Sequence, residues 1–360
     1  MPKRARKNDS RVTSLKPLIL VAAFFWMMSP LVASESVIGA AATLGAPKLI
    51  GRPSALDKAA NPAMSLSGLF LSKHSSNKDK NGLSVQEISA QFSGAIDPHF
   101  YGNIALASEG ANQIRVREAY AATLFLPKVT IKAGKFLVNF GANQLIHPRA
   151  QPLIDKPLLN QYFWGELCEG SIGLEVSWRL PVSWHSDLVG SVTRAQGTTA
   201  FFTNESESLS SQGRFENIFL LAEDTVLGLG VSGATGPGTE GTRNYWGGDV
   251  TLKIGSAKAK ENLAFSWTNE VISRGKGAWG FYSTPLLRVL APLWVGGRYD
   301  YVNRENRKTN SQNLLIAFAP SDFSVLRTQW GWSQDSGGGN QWQGLIQFAM
   351  SLGAHSLHSY

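Results

Sequence analysis

Four residues with polar or charged side chains fall within one short run: His147, Arg149, Asp155 and Lys156. An imidazole, a guanidinium, a carboxylate and an ammonium so close together can contact a hydrophilic solute. Three prolines, Pro148, Pro152 and Pro157, punctuate the run and stiffen it by fixing φ. The same stretch carries Leu145, Ile146, Leu153, Ile154, Leu158, Leu159, Tyr162, Phe163 and Trp164, enough apolar surface to pack. Chemistry of conversion, by contrast, has no support. No Ser-His-Asp or Cys-His set can be argued from spacing, and the single Cys168 permits neither a disulfide framework nor a Cys-based zinc site. His355 and His358 lack a nearby carboxylate and read as exposed side chains rather than metal ligands. Gly228 to Gly233 matches G-x-G-x-x-G, but a dinucleotide site needs that motif between a strand and a helix. Here it lies inside an alternating stretch, where small residues on an inner face explain it. The sequence therefore predicts no enzyme, no cofactor and no metal.

The elements that must position these groups are strands. Near the end of the chain, Trp342, Gly344, Ile346, Phe348, Met350 and Leu352 alternate with Gln343, Leu345, Gln347, Ala349 and Ser351. One face is apolar and bulky, the other mostly polar or small. Period-two alternation over such a length marks a strand between two different environments. The same rhythm recurs along the chain. Strands are expected at 63–72, 83–96, 99–108, 114–124, 128–137, 170–180, 183–194 and 214–222. Eight more are expected at 225–234, 244–254, 262–272, 277–286, 293–302, 311–319, 322–332 and 341–352. Short turns such as Asp97-Pro98, Leu180-Pro181 and Glu223-Asp224 largely alternate with longer links at 73–82, 138–169, 195–213, 235–243, 303–310 and 333–340. An even number of apolar-out, polar-in strands with short turns on one side and longer loops on the other suits a transmembrane β-barrel. The fold expected is all-β, an antiparallel transmembrane barrel of sixteen strands over 62–360.

The bulk numbers agree. The formal charge is +8, but Met1–Ser34 holds six basic residues against Asp9, so five of those charges belong to one end and the case for nucleic acid falls away. That end is basic from Lys3 to Lys16, apolar from Leu18 to Met28, and small at Val32-Ala33-Ser34, the pattern of a cleaved secretory signal peptide. Residues 35–61 read as a periplasmic lead-in. Beyond residue 34 no apolar run is long enough for a membrane helix.

The chain from about Asn61 to Tyr360 resembles a family of Gram-negative outer-membrane porin-like proteins, of the phosphate-selective-porin type or the so-called zinc-regulated receptor type. The residues that carry the likeness are Ala95-Ile96-Asp97-Pro98, Ala133-Gly134-Lys135-Phe136 with Phe140-Gly141, and His147-Pro148-Arg149-Ala150. Asp155-Lys156-Pro157, Ser232-Gly233-Ala234-Thr235-Gly236 and Ser351-Leu352-Gly353-Ala354-His355 complete the set. The resemblance implies residence in the outer membrane. The receptor label implies energy-coupled transport, and a plugged transporter barrel of roughly 22 strands does not fit in this chain.

Strand parity sends Arg115, Arg117, Lys132, Arg179, Lys253, Arg298 and Arg327 inward, together with Glu87, Glu175, Asp187, Asp249, Glu270 and Asp300. Arg115, Arg117 and Lys132 on neighbouring strands would form a local basic ladder, unless each is paired across the wall. Glu118 resists this parity, because it shares a face with Ile114, Val116 and Tyr120, and a bulge would reconcile it. Trp178, Trp184, Trp246, Trp279, Tyr299, Tyr301, Trp332 and Trp342 near strand ends suit interfacial girdles, and Trp294 falls inside. The function expected is passive diffusion of small hydrophilic solutes through a pore narrowed by 138–169, with Arg149, Asp155 and Lys156 nearest the solute. The alternative is a non-conducting barrel acting as an adhesin or envelope-structural protein. The partners expected are outer-membrane lipid and the solute, with a homo-oligomer compatible with either reading.

Overall fold

The computed structural model describes residues 62–353, apart from 78–80, 111–112, 167–168, 196–199, 202–207, 239–240, 256–263 and 276. The expected signal segment, the lead-in, Cys168, His355, His358 and Tyr360 lie outside the described residues. Sixteen strands follow one another: β1 (Ala63–Ser75), β2 (Gly82–Ala95), β3 (Phe100–Glu109), β4 (Ile114–Thr123), β5 (Val129–Phe136), β6 (Ser171–Arg179), β7 (His185–Arg194) and β8 (Leu209–Ala222). The second half contributes β9 (Thr225–Gly238), β10 (Gly241–Ile254), β11 (Ala264–Arg274), β12 (Ala278–Leu290), β13 (Leu293–Arg304), β14 (Lys308–Ser321), β15 (Ser324–Asp335) and β16 (Gly339–Gly353). Each strand pairs antiparallel with its sequence neighbours, and β1 pairs with β16, so the sheet closes and no edge remains.

Closure inverts the usual distribution of polarity. On β14, Leu314, Ile316 and Phe318 point out and are exposed, while Ser311, Asn313, Leu315 and Ala317 point in and are buried. On β16, Ile346, Phe348 and Leu352 are exposed and Gln347 and Ser351 are buried. A contiguous apolar outer surface wrapped around polar groups would be a liability in water and is the arrangement a bilayer requires. Trp246, Trp279 and Trp332 are exposed near one end of the wall and Trp184 near the other. Trp330 and Trp342 stack on adjacent strands, with centroids 5.4 Å apart. Ile316, 58% exposed midway along β14, provides a direct test. Ile316→Arg should destabilise the barrel by about 2–4 kcal/mol, the cost of a cation near the bilayer midplane, in reversible unfolding from lipid vesicles.

The links depart from the expected alternation. The hairpins at the end of the wall that carries the 137–170 segment reach further than the alternating pattern indicates. β9 and β10 continue to Gly238 and from Gly241, and β14 begins at Lys308. The expected long links at 235–243, 303–310 and 333–340 therefore shrink to two or three residues, 239–240, 305–307 and 336–338. Between β10 and β11, on the opposite end, residues 255–263 make a longer link than the 275–277 hairpin after β11. Long and short links do not alternate strictly; the long-loop end is defined mainly by 137–170 and 195–208.

The difficulty at Glu118 has its cause in the register. Ala105 faces Glu118 and Leu106 faces Val116, which leaves Arg117 as an extra residue in β4. Such a bulge turns two successive side chains to the same face, and Arg117 and Glu118 are both buried inside. A second shift lies in β2, where Leu69 faces Glu87 and Phe70 faces Val85, so Gln86 is the extra residue. Two apolar clusters line the interior. One gathers Tyr245, Ile272, Tyr282 and Val302 of the wall with Phe140, Leu159, Phe163 and Phe201 of the long links. The other gathers Leu69, Leu286, Trp294, Leu315, Val325 and Ala349 with Leu153. Trp294 does fall inside, but it is buried in this second cluster rather than facing open water.

Candidate functional site

The segment between β5 and β6 is not a structureless loop. A 3-10 turn at Pro148–Ala150 starts on a proline, whose fixed φ suits a first helical position and whose missing N–H would be unpaired there anyway. Helix α1 (Leu158–Trp164) follows Pro157, which stands at the cap position in an extended conformation, and ends at Gly165, whose φ of +89° is one a glycine adopts freely.

The segment follows the inner wall closely. The Leu137 N–H donates to Glu118 (3.0 Å) and the Gly141 N–H to the Ser232 hydroxyl of β9 (3.1 Å). Gly141 takes a φ of +64°, and a Cβ there would run into the Glu270 carboxylate of β11. His147 Nε2 lies 3.4 Å from Glu118. Burial pushes this imidazole below its usual range, against the carboxylate that favours its charged form. Arg149 donates to Gln91 of β2 (2.7 Å) and its carbonyl accepts from Arg327 of β15 (3.3 Å). The Ile154 N–H donates to Gln329 (2.9 Å).

Asp155 is the hub of these tethers. Its carboxylate accepts from Arg298 of β13 and Gln329 of β15, each at 2.8 Å, and from Gln343 of β16 at 3.3 Å. Arg298 also donates to the Asp155 carbonyl (2.8 Å) and to Asp300 (2.7 Å), and Asp300 in turn accepts the Leu158 N–H (3.0 Å). Lys156 is buried, with an ammonium that has no hydrogen-bond partner among the described residues.

Of the wall charges expected inside, Glu87, Arg117, Glu175, Asp249, Glu270, Arg298, Asp300 and Arg327 are buried. Arg117 makes a two-pronged pair with Glu87 at 2.9 and 2.5 Å and approaches Glu109. Lys132 meets Glu175 at 2.7 Å, and Arg179 pairs with Asp187. Arg115 sits at the rim, more than half exposed, beside Glu169 (3.1 Å). Arg327 is fully buried and donates to Gln347 (3.1 Å). Of the expected basic ladder, Arg117 and Lys132 are thus paired with wall carboxylates, whereas Arg115 meets Glu169 of the link at the rim. Arg214, absent from the sequence reading, reaches across β9 to Asp249 at 2.6 Å. Gly230 makes that reach fit: a Cβ there would stand 2.5 Å from both Arg214 Nη2 and Asp249 Oδ2. This is the third residue of the G-x-G-x-x-G run, and its smallness serves an ion pair rather than a phosphate. The amides Gln91, Gln329 and Gln343 were also missed as anchors, although inward parity of a large polar side chain was the available signal.

No protein-family model matches the chain, and no curated protein matches it. Solved structures do. It is similar to OprB of Pseudomonas putida, with 9% identity over 81% of this chain and 94% of that one and a TM-score of 0.57. It is similar to an anion-selective porin from Comamonas acidovorans, with 9% identity, 81% and 100% coverage and a TM-score of 0.54. It is also similar to the outer-membrane channel DcaP of Acinetobacter baumannii, with 10% identity, 81% and 95% coverage and a TM-score of 0.50. The fold is that of the sixteen-stranded outer-membrane porins.

Proposed function

We propose that the protein is an outer-membrane channel for passive diffusion of small hydrophilic solutes, narrowed inside by the segment 138–169. The observation that carries this reading is a closed barrel with an apolar exterior and a polar inner wall, to which a stiff segment is bound by several hydrogen bonds. A barrel of this strand number leaves an aqueous passage unless something fills it. In this reading His147, Arg149, Asp155 and Lys156 set the position of the constriction. Arg149 and Asp155 hold the segment to the wall, and part of the Asp155 side chain remains in contact with solvent. The test is the current through the refolded protein in a planar bilayer, and absence of current from folded protein would favour the adhesin or structural role.

Charge selectivity should be weak, because the inner-wall cations are largely matched by carboxylates a few ångströms away. Reversal potentials in a salt gradient should show at most a mild anion preference; strong cation preference would refute the pairing argument. Residues 1–34 are proposed to direct export and be removed, so that the mature chain begins near Glu35 and fractionates with the outer membrane. A homo-oligomer within that membrane belongs to the same reading. Terminal sequencing and cross-linking of membrane fractions test these two points.

A further inference from the structure

We propose that the long-loop end of the barrel carries a binding site for a small organic monoanion of the carboxylate class, built from Arg304, Arg274 and Tyr162. The proposal rests on the channel reading for the ligand's route, but binding itself can be measured without any current. Arg274 and Arg304 end β11 and β13, and the register sets both opposite Ala278 of β12. Both have inward parity, sharing faces with the fully buried Ile272 and Val302. Ala278 has only a methyl group, and the room it leaves is taken by Tyr162 from α1. The guanidinium carbons of Arg274 and Arg304 lie 5.8 and 5.0 Å from the centre of that ring.

The two arginines are not equally satisfied. Arg274 donates to the Tyr162 hydroxyl (3.4 Å) and to Glu305 (3.2 Å). Arg304 has no carboxylate partner among the described residues, and its buried Nε has no hydrogen-bond acceptor. Arg307, the next cation along the rim, is already matched by Asp335 at 2.6 Å. Two guanidiniums and one carboxylate therefore leave one positive charge over one aromatic ring. Clamping Tyr162 to the wall accounts for Arg274 but leaves the Arg304 donor unused, which is uncommon for a buried polar atom. A guanidinium fork matches the two oxygens of a carboxylate, and the charge balance favours a monoanion over a dianion.

The experiment is titration calorimetry of the folded full-length protein in detergent micelles, with sodium benzoate as the probe and benzamide and inorganic phosphate as comparisons. Benzoate should bind saturably and more tightly than phosphate, and benzamide should not bind. Arg304→Gln should weaken benzoate about tenfold, the loss of one charge-assisted hydrogen bond. Glu305→Gln, at an exposed position where folding is not at stake, should tighten it by releasing Arg274. Equal benzoate binding by wild type and Arg304→Gln, no effect of Glu305→Gln, binding of benzamide as tight as benzoate, or tighter binding of phosphate would each overturn the proposal. A barrel that binds benzoate but carries no current would contradict the channel and leave this site standing.

Discussion

Deletion of Arg149 to Lys156 is expected to raise single-channel conductance severalfold while the barrel stays folded. The deleted residues hold the tethers that fasten the segment to the inner wall: Arg149 to Gln91 of β2, the Arg149 carbonyl to Arg327 of β15, and Asp155 to Arg298, Gln329 and Gln343 of β13, β15 and β16. These anchor strands lie within one contiguous arc of the wall, running from β2 through β1, β16, β15 and β14 to β13. None of the deleted residues takes part in the strand ladder, so the hydrogen bonds that close the barrel are untouched. The chief losses to packing are Leu153, a single member of an apolar cluster otherwise built from wall residues, and the buried Ile154. Heat-modifiable mobility on gels reports whether the barrel has folded. Unchanged conductance in a folded deletion would mean that the run does not limit the passage.

Arg298→Met is expected to cost about 3–5 kcal/mol of stability, the usual penalty for removing one partner of a buried ion pair. Arg298 is 4% exposed and Asp300 is fully buried, so the carboxylate left behind cannot recover its solvation. Asp300 would keep the Leu158 N–H and the Asn313 amide, at 3.0 and 3.3 Å, as partial compensation. The figure belongs to the uncompensated charge rather than to the pair itself. Replacing both residues, as Arg298→Met with Asp300→Leu, should therefore recover much of the loss. Equilibrium unfolding of the two variants in detergent separates these cases. A single variant as stable as wild type would show that the pair is not the anchor its geometry indicates.

The strand number and the facing of most residues were legible in the sequence because period-two alternation is a local property. Ile346, Phe348 and Leu352 have no other way to share a face, and they do point outward. Strand ends were less legible, since β9, β10 and β14 continue beyond the apolar band, where Gly, Thr and Asn no longer alternate with bulky apolar groups. The bulge at Arg117 could be named as a remedy but not demonstrated, because a one-residue slip becomes visible only against the partner strand. The ion pairs illustrate the same limit. Glu87 with Arg117, and Arg214 with Asp249, skip a strand, and which residues meet across that strand depends on the stagger of the whole barrel. The inward folding of 138–169 was expected from its prolines and apolar residues. The glutamines that receive it lie far away in sequence, with no local mark of their partners.

The current through refolded full-length protein in a planar bilayer tests the central claim most directly. The structure's polar inner wall and the channel reading predict reproducible, ohmic single-channel steps that scale with salt concentration and show little charge selectivity. Protein that has folded by the gel-mobility criterion and inserted into the bilayer, yet gives no steps above background across repeated preparations, would contradict it.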